Sequence, residues 1–209
     1  MGIDFKENFQ AHLDVSRETL DRLSQYEALV RKWNPTINLV AKSTLDDLWQ
    51  RHFQDSAEVF LLAGVKTGKW VDLGSGGGFP GIVVAILARE LAPDISVTCI
   101  ESDLRKCEFM RTVSRAVGVP VGVISRRIED VPPQNAAVVS ARALAPLPRL
   151  MAYIERHLAP GGTALVHKGE NWRQEVQTAL DSWRFSVENH ASPNHPNAAI
   201  LKIRDISCG

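Results

Sequence analysis

The chemistry-bearing residues of this chain concentrate in one run, Trp70-Val71-Asp72-Leu73-Gly74-Ser75-Gly76-Gly77-Gly78-Phe79-Pro80-Gly81. An apolar strand ends in an acid, a glycine-dense turn follows, and the apolar run 82–87 opens a helix. The glycines let a ligand lie against bare backbone, and the new helix turns its free N–H groups toward the same crevice. A nucleotide-like cofactor is expected there. A nicotinamide site would read G-x-G-x-x-G, and Gly76, Gly78 and Gly81 spell it, with Glu101 lying 20 residues beyond Gly81. A P-loop would need Lys-Ser/Thr after the glycines, where Phe79 and Pro80 stand instead. The third candidate is S-adenosylmethionine (SAM), whose loops read D-x-G-x-G-x-G; Asp72, Gly74, Gly76 and Gly78 fit without a gap. A carboxylate at Asp72 would repel a pyrophosphate, whereas SAM carries a sulfonium and an ammonium group. The charge favours SAM, held by Asp72, Gly74, Ser75, Gly76 and Gly78 of this loop.

A second strand, 95–100, ends at Glu101, an acid placed to accept the two ribose hydroxyls of an adenosine. A third, 121–125, leads into Arg126-Arg127-Ile128-Glu129, where Ile128 can cover an adenine face and Glu129 can meet its amino group. A solvated Glu101 at a helix N-terminus and ordinary loop acids are the plainer alternatives.

The elements that must position these residues divide in two. A helical cap is expected over residues 1–65, with helices at 4–13, from Ser16 to a stop near Trp33 enforced by Pro35, from a Ser43 cap through Trp49, and over 55–62. A SAM-binding body is expected over 66–209. Its strands fall at 69–73, 95–100, 121–125, 136–140, 162–167, 184–189 and 198–204, and its helices at 79–90, 103–117, 147–158 and 170–182. Pro80 falls in the first helical turn, where its missing N–H costs little. The alternation implies an α/β fold with a mostly parallel seven-stranded sheet, closed by a hairpin. A 209-residue chain that is 44% hydrophobic can build such a core. It has no apolar stretch of membrane-spanning length and no signal-peptide pattern near residue 1, so a cytoplasmic protein without membrane contact is expected. Cys99, Cys107 and Cys208 have neither disulfide nor zinc spacing.

The formal net charge of zero argues mildly against a nucleic-acid partner. Residues 101–173, however, carry eleven basic and seven acidic side chains, nine of the cations being arginine. Arginine suits bidentate phosphate contact and base stacking.

Several separated segments resemble the RsmG (GidB) family, bacterial methyltransferases that modify N7 of a guanosine in the decoding region of 16S ribosomal RNA. They are Lys32-Trp33-Asn34 with Asn38-Leu39, Arg51-His52 with Asp55-Ser56, the glycine loop, Glu101-Ser102 with Arg105-Lys106 and Phe109, Arg127-Ile128-Glu129, Ala141-Arg142-Ala143, and Lys168-Gly169. They span roughly residues 30–170. Ala141 stands where the family often has Ser, Val40 where it often has Thr, and Glu101 where Asp is common. The resemblance implies a class I SAM-methyltransferase (Rossmann-like) fold with an N-terminal helical extension. It also implies 16S rRNA, in the small subunit or an assembly intermediate, as partner; a monomer is expected, though the sequence does not fix the oligomeric state. It places Gly74, Phe79, Ile128, Glu129 and Arg142 around SAM.

Guanine N7 bears an in-plane lone pair and no proton, so no general base is required; the task is alignment and exclusion of water. Arg142 is the expected positioning residue, able to reach a phosphate or guanine O6 when it is not simply in a structural salt bridge. His52, Asp55, Arg127 and Lys168 are candidates for RNA contact, with packing or hydrogen bonding as the alternative for His52 and Asp55, and local structure for Lys168. Asn34 and Asn38 read as loop-ordering residues. A methyltransferase of small molecules or proteins is the alternative function, and a nicotinamide oxidoreductase a more distant one.

Overall fold

The computed structural model describes residues 9, 13–192 and 195–209. Seven strands make one sheet: β1 (Thr67–Leu73), β2 (Asp94–Glu101), β3 (Gly122–Ser125), β4 (Ala136–Arg142), β5 (Leu158–Lys168), β6 (Trp183–Ser192) and β7 (His195–Cys208). Their order is β3-β2-β1-β4-β5-β7-β6. β1 to β5 are parallel, and β7 runs antiparallel to both β5 and β6. The chain winds outward from β1 to β3, then crosses back to β4. The carboxyl ends of β1 and β4 therefore flank a topological switch point, where such sheets bind ligands.

The period-two alternation of the strands loads both faces. Trp70, Val97, Val138 and Leu165 point to one face, and Val71, Ile100, Val139 and Val166 to the other. Helices α1 (Arg17–Ile37), α2 (Asp55–Ala63), α3 (Gly81–Leu91) and α4 (Leu104–Val117) cover the first face. Helices α5 (Leu147–His157) and α6 (Trp172–Leu180) cover the second. No described helix is long and apolar enough to cross a membrane.

α1 begins as the sequence predicts. Ser16 accepts the Thr19 N–H at 3.2 Å, and the Glu90 carboxylate of α3 accepts the Thr19 hydroxyl at 2.6 Å. Buried Leu23, Tyr26, Val30 and Ile37 then form its inner stripe. Its end differs from expectation. Pro35 lies inside the helix, which runs on to Ile37 instead of stopping near Trp33. The lost N–H falls in the last turn, and buried Asn34 fixes the chain beyond the helix by accepting the Leu39 and Val40 N–H groups at 2.7 and 2.9 Å. Asn38 caps the helix in the left-handed region.

Two other expectations are corrected. Ser43 is not a cap but the middle of a tight 3₁₀ turn, Lys42–Thr44, and the following helix opens as a π-helical segment, Trp49–Gln54. Pro80 precedes the first residue of α3 and so serves as its cap position. The helix expected over 4–13 lies mostly outside the described residues.

Candidate active site

β1 delivers the chain into the glycine loop, which doubles back beneath the end of β2. The N–H groups of Gly74 and Ser75 both donate to the Ile100 carbonyl, at 2.9 and 3.2 Å. Gly78 adopts φ +93°, and a Cβ there would lie 2.6 Å from Ile82 Cδ1 and 2.8 Å from the Tyr26 hydroxyl. Only glycine fits.

Asp72 departs from its sequence-based role. It is fully buried beneath the loop and does not line the cavity. Its Oδ1 accepts the Ser140 hydroxyl at 2.7 Å, and Ser140 in turn accepts the Trp70 indole N–H at 2.9 Å. Its Oδ2 accepts the Gly81 N–H at 3.2 Å, which ties β1 to the start of α3. Burial pushes its carboxyl up to about 6, against the pull of the Ser140, Ser75 and Gly81 hydrogen bonds and of Arg142. Gly78 likewise packs against α1 and α3 and is absent from the cavity wall.

The loops after β1, β2, β3 and β4 enclose a cavity of about 440 Å³. Gly74, Ser75, Gly76, Phe79, Glu101, Arg127, Ile128, Glu129 and Arg142 all line it, as does Gly77, which the sequence reading passed over. A Cβ on Gly76 would meet nothing nearer than the Gly74 carbonyl at 3.9 Å, so a side chain there would take up open space. Glu101 is held at the tip of β2 by two backbone donors, Gly76 N–H to Oε2 and Asp103 N–H to Oε1, each at 2.9 Å. Both oxygens keep a further lone pair for a ligand. Ile128 offers apolar surface, fixed by the His157 ring nitrogen at 3.1 Å from its carbonyl. Arg127, assigned to RNA from the sequence, stands with Ile128 and Glu129 on this cavity. Lys106, Arg126 and Arg149 complete a basic rim. Their signal was the arginine-rich stretch, but sequence alone did not bring it to one mouth.

A second cavity of about 750 Å³ adjoins the first, and Leu39, Ala143 and Arg142 belong to both. His52, Asp55 and Lys168, read from the sequence as contacts outside the cofactor site, converge on its wall. Lys168 is nevertheless engaged: its Nζ lies 2.6 Å from Glu175 Oε2 and 2.7 Å from the Ala145 carbonyl. Its ammonium closes the loop after β4 against α6, the local-structure role that stood beside RNA contact in the sequence reading. Asp55 is buried, with its Oδ1 3.4 Å from the Ser192 hydroxyl. His167, beside Arg142 in the β4–β5 register, also lines this cavity and was not singled out from the sequence.

Arg142 stands between the cavities. Its guanidinium donates to the Arg51 carbonyl at 3.2 Å and to His52 Nδ1 at 2.6 Å, and lies 5.3 Å from the Phe79 ring centroid. Burial lowers its pKa from the ordinary arginine value. His52 is pushed down to about 3 by burial first, then by Arg142, Arg51 and His167, and is therefore neutral near pH 7. A neutral imidazole whose accepting nitrogen is already occupied cannot serve as a free base.

Comparison with known proteins places this geometry in context. A family model described as GidB, rRNA small subunit methyltransferase G, matches residues 19–201. The chain is 53% identical over 194 residues to ribosomal RNA small subunit methyltransferase G of Ruegeria sp. (strain TM1040), covering 93% of this chain and 94% of that protein. It is 50% identical over 200 residues to the protein of the same name from Rhodospirillum centenum, covering 96% and 90%. Among solved structures, a ribosomal protein L11 methylase from Lactobacillus delbrueckii subsp. bulgaricus aligns with TM-score 0.59 at 19% identity, over 73% of this chain and 78% of that one. TYW2 of M. jannaschii, solved with AdoMet, aligns with TM-score 0.56 at 11% identity, over 78% and 75%. These two likenesses speak for the class I methyltransferase fold.

Proposed function

Because the chain belongs to the GidB family, rRNA small subunit methyltransferase G, it is a SAM-dependent methyltransferase of small-subunit ribosomal RNA, and we propose how its two cavities divide the work. SAM occupies the cavity over the glycine loop, and a guanine from the decoding region of 16S rRNA enters the adjoining one. The observation that carries this reading is the meeting of both cavities at Arg142.

The residues present fit the cofactor. Gly76 leaves a bare backbone cradle, Glu101 offers carboxylate lone pairs to ribose hydroxyls, and Ile128 offers a flat apolar contact for adenine. The volume is in the range that holds ligands of this size. When bound, SAM supplies an electrophilic methyl group that passes to N7 while the carbon–sulfur electron pair leaves on sulfur. The chain's own residues need only align and desolvate. Arg142 donates toward O6, which neighbours N7 on the same purine edge, and so orients the lone pair. Phe79 backs the guanidinium and excludes water from the junction. The neutral state of His52 accords with a reaction that removes no proton in the transfer step.

The test is methyl transfer from labelled SAM to small ribosomal subunits lacking the modification, with cleavage at 7-methylguanosine to map the product. One labelled guanosine in the decoding-region loop is expected. Label in another base, or in protein alone, would overturn the assignment. Comparison of subunits, assembly intermediates and naked 16S rRNA identifies the form that is methylated.

A further inference from the structure

Three neutral groups touch Arg142, the Arg51 carbonyl, the His52 ring and the Phe79 face, while the buried Asp55 carboxylate favours its charge from nearby. The two hydrogen-bond acceptors set where its N–H groups point. A guanidinium has donors and no acceptor, so the 2.6 Å contact makes His52 Nδ1 the acceptor. The ring proton is then on Nε2, which lies 2.8 Å from Thr44 Oγ1. Thr44 gives its own hydroxyl proton to the Ala41 carbonyl, at 2.8 Å, and therefore faces the ring as an acceptor. Each link sets the polarity of the next. The other tautomer would set an Nδ1–H against the Arg142 N–H groups and turn the guanidinium away.

We propose that Thr44 is a positioning residue: its hydroxyl selects the His52 tautomer whose Nδ1 lone pair aims Arg142 at the junction of the two cavities. The inference rests on the placement of guanine beside Arg142 given above; Thr44 lines the same cavity, and the role assigned here runs through the His52 ring. The tight turn Lys42–Thr44 gives the arrangement its rigidity, because the hydroxyl is tied to a carbonyl three residues back. The same turn joins the end of α1 to the π-helical segment carrying His52. The helical region thereby sets the direction of a side chain that belongs to the sheet.

The experiment uses the full chain labelled with ¹⁵N in its histidines. In the wild type, the His52 ring should show Nε2 protonated and Nδ1 unprotonated; a protonated Nδ1 would overturn the proposal. Thr44→Val keeps the side-chain shape and removes the hydroxyl, and Thr44→Ser restores it. Thr44→Val should lower kcat for transfer to unmodified small subunits roughly tenfold, the scale of one lost hydrogen bond. It should leave the SAM Kd within about twofold and populate the second His52 tautomer, while Thr44→Ser keeps wild-type kcat and tautomer. A wild-type kcat in Thr44→Val, or equal loss in both variants, sinks the idea. If Thr44→Val does not fold, Thr44→Ala against Thr44→Ser makes the same comparison. The tautomer is read without substrate, so it decides the Thr44–His52 link even if the small subunit proves not to be the substrate.

Discussion

Asp72 sits under the glycine loop with its carboxyl raised to about 6 by burial, and this has a consequence for stability. A carboxyl that binds its proton more tightly when folded stabilises the fold at low pH. The contribution is fully present below the ordinary value near 3.8 and is lost as pH rises through about 6. The shift corresponds to about 3 kcal/mol. Asp72→Asn has no such titration. Urea denaturation at several pH values should show wild type losing about 2 kcal/mol relative to the variant between about pH 4 and about pH 7.5, the rest having gone below pH 4. A gap that does not change with pH would mean that the carboxyl titrates alike in both states. The sequence showed the acid and its place in the motif. It did not show that Ser140, 68 positions away, and Gly81 would enclose it. The charge argument against a pyrophosphate therefore loses its force, and the choice of SAM rests on family membership. Glu101 is the acid that does reach the cavity. Glu101→Gln should weaken SAM binding by about tenfold, the worth of one charge-assisted hydrogen bond. Calorimetric titration measures it, and an unchanged Kd would remove Glu101 from the ribose site.

At the scale of elements, α1 braces the glycine loop from outside. The Tyr26 hydroxyl donates to the Gly77 carbonyl, and its ring stacks on Phe79 with centroids 5.0 Å apart. Tyr26→Phe keeps the stack and leaves the Gly77 carbonyl without its donor. The expected cost is about 1–3 kcal/mol, with Tm falling by about 2–4 °C per kcal/mol in a chain of this size. Differential scanning calorimetry reads it, and an unchanged Tm would show that the carbonyl finds another donor. Most elements were legible because strand alternation and helical stripes are local patterns. What was missed depends on partners distant in sequence or on backbone detail. Pro35 sits inside the last turn of α1, and Asn34 fixes the chain beyond it through residues that no local pattern marked. The π-helical segment has no local spelling, yet its Arg51 carbonyl and His52 ring are what hold Arg142. For Lys168 the sequence left RNA contact and local structure both open, because Glu175 meets it only once α6 packs.

For the molecule as a whole, zero net charge conceals an uneven distribution. Folding gathers Lys106, Arg126, Arg127, Arg142 and Arg149 around one cavity, where Glu101 is already occupied by backbone donors. The excess of arginine was readable in residues 101–173, but its convergence required the crossover from β3 to β4. If these side chains meet RNA phosphates, each contact releases counterions, and binding weakens with salt by a definite amount. The slope of log K against log salt is about −0.7 per phosphate contact for single-stranded RNA. Arg126→Ala and Arg149→Ala should each weaken binding to small subunits or 16S rRNA fragments and make that slope shallower by about 0.7. Filter binding across a salt series separates two outcomes. A shallower slope assigns the side chain to a phosphate. An affinity loss that is the same at every salt concentration assigns it to shaping the mouth of the cavity and leaves phosphate recognition to other residues.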